Sequence, residues 1–269
     1  MTDNRSWRGS ASIAVYGRRA VLEAIAAQHE GALRVELVRV ATSLPKEVRQ
    51  EFSAAARSVE APFETTSLQD VAALSHDPRN DQGVAARVHL KRVVDAEGFA
   101  HTLTGRRAAL PARVLATDGI TNSQNIGMMV RAACGAGFDA VLWPKQGCPW
   151  VNGLVVKASA GTALRATIIV CDTLVDGLAT LQQFGFSAIG LDASSIESIW
   201  TSVPPHRSVH VIGSEVTGLS AEVRELLDGR VGIPMAQGVE SLNAATAAAV
   251  LCFAITRDEA ARAHGPEIT

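Results

Sequence analysis

The sequence is poor in aromatic side chains and carries almost no net charge. Phe, Trp and Tyr make up 4% of its 269 residues, with a single tyrosine. A surface that stacks a run of bases on aromatic rings is therefore not expected. Against 27 Asp and Glu stand 25 Lys and Arg, a formal net charge of −2. That excludes a uniformly basic coat for nucleic acid, though not a local basic face. The four cysteines, Cys134, Cys148, Cys171 and Cys252, form no C-x-x-C pair. Zinc-ribbon and thioredoxin chemistry fall away, and free thiols in a cytoplasmic protein are expected. The longest apolar stretches, such as 244–251, are too short and too Ala-rich to span a bilayer. The polar start, MTDNRSWRGS, has no apolar run, so neither a secretory leader nor a membrane partner is expected, and residues 1–12 read as a flexible N-terminus.

What is present is a globular composition, 47% hydrophobic and 19% charged, long enough for one large domain or two modest ones. Residues 13–88 read as a small α/β unit. Apolar residues at helical spacing (Ala20, Val21, Ala24, Ile25) place a helix over 15–27. Residues 33–40 alternate as a strand, and Pro45 opens a helix with Val48, Phe52, Ala55 and Val59 on one stripe. Residues 62–65 form a short strand, Ser67 caps a short helix, and 83–88 form another strand. Residues 89–112 have weak periodicity and read as a linker with one short helix at most. From Arg113 onward strands and helices alternate, which implies a parallel sheet covered on both faces. The expected strands are 113–117, 140–143, 167–171, 187–191, 209–213 and 231–233; the expected helices are 125–135, 152–158, 173–184, 219–227 and 241–257.

Charge divides at the same boundary. Residues 1–113 hold 16 Lys and Arg against 13 Asp and Glu, and residues 114–269 hold 9 against 14. A basic front on an acidic back fits a polyanion-reading module joined to a catalytic one, although a net of +3 is also ordinary surface variation. Gly135-Ala-Gly137-Phe-Asp-Ala140 satisfies the dinucleotide fingerprint in letters only. The fingerprint must follow a strand and open a helix, whereas here a helix precedes and a strand follows. A nicotinamide-dependent oxidoreductase is disfavoured on that ground. His206 and His210 stand four apart, but after Pro204-Pro205 and at the start of a strand, where such positions lie roughly 13 Å apart. No metal is expected.

Three segments carry more information. In Asn125-Ile-Gly127-Met-Met-Val-Arg131, Asn125 is a good helix N-cap, and Arg131 sits one turn beyond Gly127 and Met128. A permanent cation beside a bare patch suits a phosphate or carboxylate. In Gly213-Ser-Glu215-Val-Thr-Gly218-Leu-Ser220 a strand ends, a polar loop turns and a helix begins. Such loops at the C-terminal edge of a parallel sheet bind ligands, and Gly213 lets one approach the backbone closely. In Ile233-Pro234-Met235 followed by Ser241-Leu242-Asn243, Ser241 caps the last helix and Asn243 offers both donor and acceptor. Taken singly, each also reads as an ordinary surface helix or turn.

In this order the three segments resemble the motifs of the SpoU family of S-adenosylmethionine-dependent RNA 2′-O-ribose methyltransferases, within the SPOUT class. The match spans about 113–257, with Lys157-Ala-Ser-Ala-Gly161 similar to the family's segment between the first two motifs. The front half, from Tyr16-Gly17 and Ala20–Glu23 to Gln82–Val84, is similar to the ribosomal-protein-like substrate-binding domain that many members carry. One departure is Val216, where the family's second motif usually has Gly; a positive φ there would strain valine.

The resemblance implies an α/β fold in which a parallel-sheet catalytic domain over 113–269 carries a deep trefoil knot, with a small RNA-binding domain over 13–88. It also implies a homodimer, with S-adenosylmethionine bent inside the knot and held around Gly213, Gly218, Ile233, Met235 and Leu242. Asn125, Arg131, Glu215, Ser241 and Asn243 would line the reacting site. A ribose 2′-oxygen attacks the sulfonium methyl in line, so the protein supplies alignment and proton handling. Arg131, whose guanidinium stays protonated, is expected to hold the neighbouring phosphate and stabilise developing alkoxide, with the proton leaving elsewhere. The extra N-terminal domain makes ribosomal RNA the expected substrate in preference to transfer RNA, and a non-catalytic RNA-binding homologue is the rival that Val216 allows.

Overall fold

The computed structural model of the protein describes residues 11–236 and 241–263. Residues 1–10, the larger part of the expected flexible start, and the 237–240 stretch of the third motif region lie outside them. Internal contacts divide the chain into two compact units. One ends at Val93 and takes in Val151–Arg165; the other is built from Val94–Trp150 and the residues from Ala166 onward.

The first unit runs β1 (Ser12–Tyr16), α1 (Arg18–His29), β2 (Leu33–Ala41), α2 (Lys46–Ser58), β3 (Phe63–Thr66), α3 (Leu68–Ser75) and β4 (Val84–Leu90). Its four-stranded sheet has the order β1-β4-β2-β3. Strand alternation buries Ile13, Val15, Val35, Val38, Val40, Ala86 and Val88. Helix α1 adds Val21, Ala24 and Ile25, and α2 adds Phe52 and Ala56. Ser67 caps α3, accepting from the Asp70 N–H at 3.1 Å. The helix expected from residue 15 starts at Arg18 instead. Gly17, at φ 87, breaks the chain between a five-residue strand and the helix, a backbone turn that glycine tolerates without strain.

Residues 89–112, expected as a linker, hold β5 (Val93–Asp95) and α4 (Ala96–Thr102). Asp95 caps α4 by accepting from the Gly98 N–H at 2.6 Å. Phe99 and Leu103 are buried in the second unit's core with Leu142, Leu178 and Phe186. The weak periodicity reflects brevity: seven residues give too few turns to reveal a stripe.

The second unit continues with β6 (Ala112–Asp118), α5 (Ser123–Gly135) and β7 (Ala140–Pro144). Next comes α6 (Gly153–Ala158), which belongs to the first unit by its contacts and not to the back half where the sequence places it. A side chain at Gly153 would strike the Tyr16 ring, its Cβ 2.0 Å from Cε1. Arg165 bonds Glu30 at 2.8 Å and Glu23 at 3.2 Å. The chain then forms β8 (Ile168–Cys171), α7 (Leu174–Gln183), β9 (Ser187–Leu191), β10 (Arg207–Gly213), α8 (Ala221–Glu225), β11 (Gly229–Val231) and α9 (Ala244–Ala263).

These strands form a seven-stranded sheet of order β11-β9-β10-β6-β7-β8-β5. The pairs β11–β9, β9–β10, β10–β6, β6–β7 and β7–β8 are all parallel. Their C-terminal ends therefore share one edge, where ligand-binding loops of such sheets collect. Central strands buried on both faces read as near-continuous apolar runs, such as Val114, Leu115 and Ala116 in β6. His210 in β10 is buried, its Nε2 2.9 Å from Ser208 Oγ. Burial, with the Arg113 guanidinium nearby, pushes its pKa down to about 3, so it stays neutral. His206 instead faces the Ala109 carbonyl. Among the described residues no group of three His, Cys, Asp or Glu side chains is placed to hold a metal ion.

Candidate active site and cofactor cleft

Three loops at the C-terminal edge build the site. The first follows β6. Asn122, not Asn125, caps α5, its side chain accepting from the Gln124 and Asn125 N–H groups at 2.8 and 3.3 Å. That leaves the Asn125 amide free, and its Nδ2 donates to Glu215 Oε1 at 3.1 Å.

The second loop follows β10. Ser214 and Gly218 exchange two backbone hydrogen bonds of 3.1 and 2.9 Å, closing a tight turn that presents Glu215 at its tip. Gly213 passes directly under that turn, and Gly218 turns it at φ +67. The Ser220 N–H donates to Asp118 Oδ2 at 2.6 Å, which ties the turn to the end of β6.

The third loop enters α9. Asn243, not Ser241, caps this helix, its Oδ1 accepting from the Ala245 and Thr246 N–H groups at 3.0 and 3.3 Å. Its Nδ2 donates to Glu215 Oε1 at 2.5 Å and to Asn125 Oδ1 at 3.3 Å. The Ala244 N–H adds a third bond to Glu215 Oε1 at 2.9 Å. Helices start where side chains accept backbone N–H groups, so the two capping asparagines were hidden three and two residues from the positions the sequence favoured.

Beside this cluster lies a cleft of about 180 Å³, lined by Leu191, Ala193, Ile212, Gly213, Ser214, Glu215, Gly218, Ile233, Met235, Ser241, Leu242, Ala244 and Ala247. Every residue proposed from sequence to hold a cofactor lines it, and Glu215 and Ser241 line it too. Ala193 follows Asp192, which anchors its loop by accepting from Ser194 and by pairing with Arg224 at 2.5 Å. Burial works to raise the Asp192 pKa, but these partners outweigh it and hold the carboxyl well below its ordinary range. Sequence reasoning missed Leu191, Ala193, Asp118 and Asn122; the end-of-strand positions of Leu191 and Asp118 were the signals it offered.

Arg131 stands apart. It is exposed on the face of α5 that also carries Gln124 and Met128, and it does not line the cleft. Among the described residues it makes no hydrogen bond or ion pair. Val216 is almost wholly exposed and is not among the residues with positive φ, so the strain that glycine would relieve is absent. Val216→Gly is expected to cost at most about 1 kcal/mol of stability, through added freedom of the unfolded chain, and to leave turnover unchanged. Thermal melts and initial rates check this, and a clear gain in turnover would refute it.

A 23S rRNA (guanosine-2′-O-)-methyltransferase RlmB from Xanthomonas axonopodis pv. citri is 37% identical over 180 residues, covering 65% of this chain and 70% of that protein. A Staphylococcus saprophyticus protein assigned to the TrmH family of tRNA/rRNA methyltransferases is 28% identical over 245 residues, 91% of this chain and 95% of its own length. The crystal structure of the SpoU methyltransferase AviRb from Streptomyces viridochromogenes with AdoMet superposes with a TM-score of 0.75 at 21% identity. That match spans 96% of this chain and 94% of AviRb, a likeness of fold. Residues 112–253 match the SpoU rRNA Methylase family, and the chain belongs to that family.

Proposed function

We propose that this chain transfers the methyl group of S-adenosylmethionine to a ribose 2′-hydroxyl of structured ribosomal RNA. The observation that carries the reading is the meeting of three distant segments, through Asn125, Glu215 and Asn243, at the mouth of the lined cleft. The cleft suits the methyl donor. Leu191, Ile212, Ile233 and Leu242 give apolar walls for an adenine ring, and Glu215 places a carboxylate where a cation is to be held. Gly213, Gly218, Ile233, Met235 and Leu242 would hold the donor. When bound, S-adenosylmethionine supplies an electrophilic sulfonium methyl and a neutral thioether leaving group. Asn125 and Asn243 fix the Glu215 carboxylate, Ser241 offers a hydroxyl to the ribose, and Arg131 holds an RNA phosphate.

A homodimer belongs to the same reading, supported by the exposed apolar side chains Met128 on α5 and Phe253 on α9, two helices that pack together. So do the family's trefoil knot, an RNA-binding role for the first unit, and a cytoplasmic location. Among the described residues no helix is long and apolar enough to cross a membrane. Ribosomal RNA is preferred because the Xanthomonas relative is a 23S rRNA methyltransferase by name. Transfer RNA is the second reading, since the staphylococcal relative is named for both RNAs.

The test is methyl transfer from labelled S-adenosylmethionine into size-separated RNA from a strain lacking this gene. Label in a ribosomal band, at an alkali-resistant linkage, is expected. Label confined to transfer RNA moves the reading to the second substrate, and label in no RNA overturns it.

A further inference from the structure

We propose that the Oε2 oxygen of Glu215 accepts the proton of the ribose 2′-hydroxyl during methyl transfer. The inference rests on the reading of the chain as a ribose methyltransferase and names the proton acceptor that reading leaves open.

The three donors that reach Glu215 all end on one oxygen. Asn125 Nδ2, Asn243 Nδ2 and the Ala244 N–H converge on Oε1 at 3.1, 2.5 and 2.9 Å. Oε2 has no partner among the described residues. The carboxylate is thus clamped by α5 on one side and α9 on the other, with its second oxygen bonded to none of the described residues. The clamp itself is oriented. Asn243 Oδ1 is committed to the α9 N-terminus, so its Nδ2 must face Glu215.

Among the described residues that line the cleft, Glu215 is the single titratable side chain. The other site residues make poor bases. A guanidinium has no lone pair to accept with, amide nitrogens only donate, and the Ser241 hydroxyl would itself need a base. A carboxylate serves when proton loss keeps pace with bond formation, because the hydroxyl then grows acidic as its oxygen is methylated. The step balances. The 2′ O–H bond breaks as the O–CH3 bond forms, the proton passes to Oε2, and the electrons of the breaking S–C bond go to sulfur.

The elements around Glu215 carry other charged groups. Asp118, at the end of β6, is engaged by the Ser220 N–H. Arg131 lies on α5; α8 carries Glu222, Glu225 and Arg224, the last paired with Asp192; β10 carries Arg207 and the buried His210; and the sequence of α9 holds Arg257, Asp258, Glu259 and Arg262. Glu240 lies outside the described residues and serves as a control.

Glu215→Gln decides the matter, because glutamine keeps an oxygen for the three donors and replaces Oε2 with an NH2 that cannot take a proton. Single-turnover transfer is expected to fall by about 100-fold or more, and the acid limb of the wild-type pH–rate profile is expected to vanish. Affinity for S-adenosylmethionine, by calorimetry, should fall by a few-fold at most, the loss of one charge attraction, far less than the fall in transfer. A second readout needs no turnover. Wild-type protein should bind RNA with a 2′-deoxy target nucleotide roughly tenfold more weakly than the ribose form, the loss of a hydrogen bond to a charged acceptor. In Glu215→Gln that difference should shrink. The wild-type comparison stands even if the variant fails to fold.

A variant that keeps the acid limb, wild-type protein that binds ribose and deoxyribose targets equally, or loss of the limb in Glu240→Gln instead would overturn the role of Oε2 while leaving methyl transfer intact. Wild-type protein that methylates no ribose would overturn the underlying reading and this role with it.

Discussion

Arg131→Ala is expected to reduce methyl transfer by about a thousandfold while S-adenosylmethionine binds as before. The two halves of this result come from separate observations. Arg131 does not line the cleft, so its loss removes nothing from the proposed seat of the methyl donor. It is an exposed cation with no partner among the described residues, on the helix whose first turn presents Asn125 to Glu215. An unpaired guanidinium there is available to an RNA phosphate, and fixing that phosphate sets where the neighbouring 2′-oxygen lies. Misplacing a reacting atom by about 1 Å costs roughly 100-fold, and losing the stabilisation of developing charge costs more. Arg131→Lys should recover part of the rate, keeping charge but losing the planar fork. Rates measured at saturating methyl donor, with donor affinity by calorimetry, check both halves; near-normal turnover in the alanine variant would sink the assignment.

The second large effect is on architecture. Gly213→Ala should lower stability by about 3 kcal/mol or more and remove cofactor binding. A Cβ at Gly213 would come within 2.3 Å of the Gly218 carbonyl carbon and 2.5 Å of the Leu219 nitrogen. Both are backbone atoms of the turn that carries Glu215, so no side-chain rotation relieves the clash. The turn must open, which breaks the paired Ser214–Gly218 hydrogen bonds and moves Glu215 away from Asn125 and Asn243. For a domain of this size that corresponds to a drop in Tm of roughly 6–12 °C. Melting with and without S-adenosylmethionine measures both effects. An alanine variant that melts normally and is stabilised by the donor would contradict this account.

Much of this was legible in the sequence because the second unit repeats one pattern. Buried parallel strands are apolar runs, and each is followed by a loop at the same edge, which made the strands and the polar loop after β10 readable; the grouping of Gly213, Glu215, Ile233 and Leu242 was instead implied by the resemblance to the SpoU motifs, and all four line one cleft. What stayed hidden depends on small differences in backbone geometry. Asn122 and Asn125 are equally good caps by residue type, and only the path of the chain leaving β6 decides that Asn122 takes the role. The same holds for Ser241 and Asn243 before α9. β1 was absorbed into the following helix because its alternation, Ser12 exposed and Ile13 and Val15 buried, lasts only five residues. The grouping of α6 with the first unit depends on tertiary packing, in which Gly153 lets the Tyr16 ring approach, and no local pattern encodes that.

Asn243 both starts the last helix and grips Glu215, and this ties the site to the order of synthesis. Glu215 lies 90 residues beyond Asn125, and Asn243 lies 118 beyond it. Contacts of such long sequence separation form late, after much of the chain is already ordered. While this chain is being translated, α5 and the β10 loop emerge well before α9 exists to cap. Until Asn243 has left the ribosome and α9 has docked, Glu215 lacks two of its three anchoring donors. A nascent chain still attached to a ribosome, surrounded by RNA of the class it is proposed to modify, would therefore hold an unassembled catalytic centre, and methylation would begin only after the last helix closes it.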